Sequence, residues 1–255
     1  MLSPDSPLSS LILGGVLLAL LAVLVVRAVR KDRREYTRFK RYRSSQSRRR
    51  MFRKWLIGSL TMFGGSAAVI LVLAWQYIPR LLAEVRRWPA AVWFAGVIDG
   101  SEGLIPGLAI GVSIALVGGT ILAVYLARKT VDVPTIGDVS ALLPRDRKEL
   151  GYGIALSLNA GVVEELLFRL AVPTLVFGVF GDAVLAVVGS LLLFGALHVY
   201  QGVWGIVGSI VIGAILMLLY LATGNILVAI VAHALVDLRS LVLIPVLVYR
   251  VHTRD

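Results

Sequence analysis

The stretch 159–170, reading NAGVVEELLFRL, places Glu164, Glu165 and Arg169 in a run otherwise apolar enough to lie in a lipid bilayer. An ionised side chain near a helix centre costs roughly +2.5 to +3.5 kcal/mol on insertion scales, against about −0.3 to −0.6 kcal/mol for Leu, Ile, Phe or Val. Three such charges facing lipid would cost on the order of 8–10 kcal/mol. A fold that accepts this segment must therefore turn all three toward other protein or a wet cavity. The rest of the chain can be searched for the groups that meet them there.

The surroundings are those of a membrane protein. Of 255 residues, 58% are hydrophobic and only 16% charged, where soluble domains carry about 25% charged residues. The expected fold is all-α, a polytopic transmembrane helical bundle of about seven spans with the catalytic core in the last four. Residues 8–26 are almost continuously apolar, about the ~20 residues that a crossing needs. Residues 27–54 then carry fourteen Lys or Arg against Asp32 and Glu35. By the positive-inside rule this basic loop is cytoplasmic and the N-terminus lies outside. It reads first as a topology signal that rests on anionic lipid headgroups, with no nucleic acid expected. The start of the chain has no basic region ahead of its apolar run, so no cleaved signal peptide is expected.

Span 2 is expected at 55–78 and an interfacial segment at 88–98. Span 3 is expected at 104–127, followed by a second cytoplasmic loop to 150 that ends in a short polar helical lead-in, PRDRKEL. Span 4 covers 151–177, with Pro173 expected to kink or end it because proline lacks an amide proton and crowds the preceding turn. Spans 5 and 6 cover 183–200 and 203–222. In the latter, Gly205, Ser209 and Gly213 form a small-residue face suited to close packing. Asn225 is a plausible N-cap for span 7, residues 226–248. Arg250 and Arg254 follow, so the C-terminus is expected on the cytoplasmic side of the cell membrane. Two regions result: residues 1–130, an N-terminal transmembrane region with the basic loop, and residues 131–255, the core.

Few ionisable groups fall within these spans. Beyond the three charges of span 4 they are His198, His233, Asp237 and Arg239. Glu165 and Arg169 are four residues apart and share a helix face, so they can pair. Glu164 is rotated by about 100° from Glu165 and can point elsewhere. His233 and Asp237 share a face in the same way, as do Phe194 and His198. Three helices could thus converge Glu164, His198, His233 and Asp237 on one cavity. A carboxylate and a histidine sharing a water act as general base and acid, and a second histidine can stabilise an oxyanion. The same groups, Glu164, His198 and His233, could instead ligate a divalent metal such as zinc. The residues alone leave both open, so the cofactor is none or a divalent metal. Arg239 lies on nearly the opposite side of the helix from Asp237, which suits snorkelling or pairing with backbone. There is no Cys, which removes thiol chemistry.

In order and spacing, E-E-x-x-x-R at Glu164–Arg169, F-x-x-x-H at Phe194–His198 and H-x-x-x-D at His233–Asp237 resemble the CAAX protease and bacteriocin-processing family of intramembrane proteases, also called the Abi family. The likeness covers residues 150–248. It implies hydrolysis of a peptide bond of a membrane-associated protein or peptide. Carried over by position, Glu164 and His198 would activate the attacking water, and His233 and Asp237 would form the oxyanion site. Glu165, Arg169 and Phe194 would support them. The third motif ends in Asn or Asp in the family. The Asp237 found here accepts but, when ionised, cannot donate to an oxyanion, so it would orient His233, stay protonated or ligate metal. No H-E-x-x-H, G-x-G-D or G-x-S-G occurs, which sets aside the zinc, aspartyl and rhomboid-type intramembrane proteases. Two rival functions use the same groups: a non-proteolytic adaptor or immunity-type protein holding a partner helix in the cavity, and a proton- or ion-coupled transporter. The absence of an inverted repeat and of paired broken helices counts against the transporter.

Overall fold

The structure, a computed structural model, describes residues 2–89, 91–93, 96, 107, 111, 114, 117–122, 124–126 and 137–254. Among these residues there are helices and turns and no strand. Half of the expected third span 104–127 and five residues of the interfacial segment 88–98 lie outside the described residues.

The first helix, α1 (Pro7–Val26), starts with proline in its first turn, where the missing amide proton would have had no intrahelical partner. It does not stop at the basic run. A π-helical segment, Arg27–Asp32, carries it into α2 (Arg33–Phe39). After a short turn, α3 (Ser45–Ser59) runs through the π-helical segment Leu60–Gly64 into α4 (Gly65–Ala74). The basic loop expected at 27–54 is therefore a correction: it is a helical hairpin, not an irregular connection. Its helicity follows from packing. Tyr36, Phe39, Met51 and Phe52 form a buried cluster with Ala141, and most of the described charges take the outer face while Arg48 is buried. A short helix, α5 (Tyr77–Val85), follows.

The charged segment lies on α6 (Arg147–Glu165). Asp146 caps it, accepting from the Glu149 amide at 2.8 Å, and the Glu149 carboxylate accepts from the Arg145 amide at 3.0 Å. Acceptors placed there satisfy donors that the first turn leaves unpaired. The polar lead-in is thus the capped start of the helix. A π-helical segment, Leu166–Ala171, joins α6 to α7 (Val172–Phe180). Pro173 does not end the helix, which continues to Phe180 and stops at Gly181 in the left-handed region. The expectation left a kink or an end open, and the helix runs on through a π-helical turn just before the proline.

Two further helices, α8 (Ala183–Leu197) and α9 (Gly202–Thr223), are joined by a 3-10 turn at His198–Gln201 and pack on each other as a hairpin. Asn225 caps α10 (Ile226–Leu238) as expected, accepting from the Leu227 amide at 3.0 Å. A π-helical segment Arg239–Leu243 leads into α11 (Ile244–Tyr249). Among the described residues, four stretches are long and apolar enough to cross a membrane: Pro7–Phe39, Ser45–Ala74, Ala183–Thr223 and Ile226–Tyr249. The third of these contains both expected spans 5 and 6.

The crossing of α6 and α10 is the most extensive helix pair. Gly153, Ser157 and Gly161 form a stripe along the buried side of α6. A Cβ on Gly161 would sit 2.9 Å from the Ile230 carbonyl oxygen, so only glycine lets the backbones approach this closely. Nothing lies within 4 Å of a Cβ on Gly151. Opposite signs are therefore expected. Gly151→Ala gains about 0.5–1 kcal/mol from helix propensity, whereas Gly161→Ala loses about 1–3 kcal/mol to overpacking. Denaturant unfolding of both variants in micelles checks this, and equal behaviour would contradict the close approach.

The two ends of the bundle are distinct. Leu2 bonds to Leu73 and Arg80 pairs with Asp5, which sets the N-terminus beside the end of α4. At the other end, the Arg147 amide donates to the Arg254 carbonyl, Arg48 pairs with Glu149 and Tyr36 meets Tyr200. The basic hairpin, the start of α6, the His198 turn and the C-terminus thus share one end.

Candidate active site

The three charges of the opening stretch divide as helix geometry requires. Glu165 and Arg169 turn inward, 0% and 2% exposed. Glu164 turns into a cavity of about 560 Å³. His198, His233, Asp237 and Phe194 line the same cavity. The four expected catalytic residues therefore meet, one from α6, one from the end of α8 and two from α10.

Each histidine is oriented by its Nδ1. In His198, Nδ1 lies 2.8 Å from the Phe194 carbonyl oxygen. A carbonyl only accepts, so Nδ1 carries the proton and Nε2 keeps a lone pair. In His233, Nδ1 lies 2.7 Å from Glu165 Oε1, while Nε2 is 3.9 Å from Asp237 Oδ2. Orientation of His233 therefore comes from Glu165 on the neighbouring helix. Asp237, its own neighbour one turn on, is beyond hydrogen-bond reach. Glu165 also faces Arg169, with Oε2 3.2 Å from Nε but without hydrogen-bond alignment. The Arg169 guanidinium sits 4.4 Å from the centre of the Phe194 ring and reaches the Gly213 carbonyl at 3.4 Å. The small-residue face of α9 has a use here, since Gly213 leaves room for that guanidinium. Phe194 also meets both imidazoles edge-on, at 4.8 Å for His198 and 6.4 Å for His233.

Among the described residues, no three His, Asp or Glu side chains converge at a spacing that would hold a metal ion. The donor set Glu164, His198 and His233 shares the cavity without forming such a cluster.

Residues 146–239 match the family model described as type II CAAX prenyl endopeptidase Rce1-like. This segment is similar to the CAAX protease family. The CAAX protease segment spans the start of α6 to the end of α10, and so contains every group named above. No curated protein and no solved structure matches the chain. The family match and the apolar helices together support a multi-pass membrane protease of the CAAX type, with a membrane protein or peptide as substrate class.

Several cavity residues were not singled out by sequence reasoning: Tyr36, Trp55, Asn159, Tyr200 and Gln201. Asn159 donates to Ser59 Oγ at 2.9 Å, tying α6 to α3. Tyr36 and Trp55 come from the basic hairpin, ahead of the CAAX protease segment, where charge density hides the aromatic pattern. Arg239 binds the Gly119 carbonyl at 2.6 Å and Thr120 Oγ1 at 3.0 Å. This fits the expected pairing with backbone, although the side chain also lines the cavity.

Proposed function

We propose that this protein is an intramembrane endopeptidase that hydrolyses a peptide bond of a membrane-associated protein or peptide, with the water activated by Glu164 and His198. The observation that carries the reading is the shared cavity lined by Glu164, His198, His233 and Asp237. Glu164 takes a proton from the water as its oxygen bonds to the scissile carbonyl carbon. His198, its Nδ1 proton committed to Phe194, offers the Nε2 lone pair to the same water. The carbonyl π electrons move to oxygen, and His233 as an imidazolium, held at Nδ1 by Glu165, donates Nε2–H to that oxyanion. The intermediate collapses, the C–N bond breaks, and the proton held by Glu164 passes to the departing amine. Asp237 balances the His233 charge and is not an oxyanion donor.

The reading includes an orientation. The basic hairpin faces the cytoplasm by the positive-inside rule, so the His198 turn and the C-terminus face it too, and the N-terminus lies outside. The hairpin's exposed charges rest on anionic headgroups. Residues 1–130 and 131–255 remain the two regions, the first supplying part of the cavity wall.

The test uses the full chain in lipid nanodiscs with a library of membrane-associated peptides, read by mass spectrometry. His198→Gln is expected to lower cleavage by about 10²-fold or more. Undiminished cleavage by this variant would sink the reading. A partner peptide that binds without being cut, equally well in both proteins, would favour the adaptor.

A further inference from the structure

We propose that the chain ahead of the CAAX protease segment positions His198, with Tyr36 as the positioning residue. The proposal rests on the role given to His198 above.

His198 is poorly placed to be held by its own helix. It caps the C-terminal end of α8 and opens the 3-10 turn that ends at Gln201, before Gly202 at φ 78°. The peptide groups beyond it leave the α-helical ladder, and such ends fray unless something outside the helix holds them. Among the described residues its side-chain hydrogen bond is to Phe194 and points back into α8.

The support comes from the other direction and closes on itself. The Tyr200 ring stacks on the His198 ring, with centroids 6.1 Å apart and planes at 28°. The Tyr36 ring meets Tyr200 edge-on at 5.3 Å. The Tyr36 hydroxyl donates to the Asp138 carbonyl. The Asp138 amide donates to the Gln201 carbonyl at 2.9 Å, and Gln201 Nε2 donates to the Tyr200 hydroxyl at 2.9 Å. Four residues thus form a ring of contacts through Tyr36, Asp138, Gln201 and Tyr200, with His198 stacked against it.

Two features pin that ring. Lys40, one turn beyond Tyr36, pairs with the Asp138 carboxylate. Gly137, at φ 79°, lies against the first turn of α9, where a Cβ would come within 2.8 Å of Gly205 Cα and 3.0 Å of the Gln201 carbonyl oxygen. Tyr36 itself is 3% exposed, so its hydroxyl is held among protein groups. Tyr36, Lys40, Gly137 and Asp138 all precede residue 146, where the family match begins. The outer end of the His198 helix is therefore clamped by parts that the protease segment does not contain.

The chain has three histidines, so its ring nitrogens can be followed in nitrogen-15 histidine-labelled protein in nanodiscs and assigned by loss of signal in His198→Gln and His233→Gln. Tyr36→Phe keeps the ring and removes the donor. It is expected to shift the His198 nitrogens and leave those of His233 in place. It should lower kcat about tenfold with KM within about twofold, as expected for a misplaced reacting group. Tyr36→Ala should enlarge both effects, and Lys40→Met should move them the same way but less. Lys54→Met, which breaks a pair with Glu35 on the same hairpin without touching the turn, should change neither. His198 signals unmoved in folded Tyr36→Ala protein would overturn the proposal, as would His233 moving equally with His198. If Tyr36→Ala fails to fold, Tyr36→Phe and Lys40→Met carry the same decision. If the wild-type chain cuts no peptide, the proteolytic reading fails and the histidine spectra alone decide the positioning role.

Discussion

Glu164→Gln is expected to abolish peptide cleavage, by about 10³-fold or more, while leaving unfolding unchanged within about 0.5 kcal/mol. The substitution keeps shape and replaces a carboxylate by an amide that cannot accept the water's proton. Its small structural effect follows from the division of labour on α6. Glu164 makes no hydrogen bond or salt bridge to another described residue, while its neighbour Glu165 is paired to both His233 and Arg169. A group that faces the cavity with no structural partner can be lost at little cost to the fold. Cleavage of the best peptide from the library, followed alongside denaturant unfolding in micelles, checks both halves. A variant that unfolds readily would show that Glu164 holds the structure, and a variant that still cleaves would show that another group activates the water.

Glu165→Ala is expected to do the reverse first, lowering stability by about 3–5 kcal/mol. It strands the Arg169 guanidinium, which is 2% exposed and has Nη1 without a hydrogen-bond partner among the described residues. It also removes the acceptor of His233 Nδ1–H. Replacing both members of the pair, as in the double variant Glu165→Met with Arg169→Met, should recover most of the stability, because apolar substitutes of similar volume are often neutral. It should not recover cleavage, because His233 still lacks the acceptor that aims it. Unfolding and cleavage measured on the single and double variants separate these effects. Recovery of both together would mean that Glu165 serves only to neutralise Arg169.

The legible part of this site is the part that helix period governs. Residues four apart share a face, and that alone places Glu165 with Arg169 and turns Glu164 elsewhere. The same rule misassigns the partner of His233. It favours Asp237 on the same helix, yet the 2.7 Å bond goes to Glu165 across the α6–α10 crossing, because Gly161 lets the two backbones approach. Contacts between distant segments leave no periodic trace. Arg48 is a further case. In the sequence it is one of fourteen cations in a basic run, which reads as a topology signal resting on lipid headgroups. In the fold it is fully buried, bonded to Glu149 at 3.0 Å and to the carbonyls of Ala141 and Leu143. Pro173 left a kink and an end both open, and the π-helical turn that precedes it has no simple sequence mark.

Phe194 was singled out as a packing residue beside the motif histidine, and its ring has a wider consequence. One flat hydrocarbon plate touches both imidazoles, the Arg169 guanidinium and the Phe168 ring, the last at 5.2 Å. It therefore packs against groups carried by three different helices at once. Both imidazoles and the guanidinium thus share one neighbour that has no polar atom in its side chain, so a change of its shape would disturb all three together.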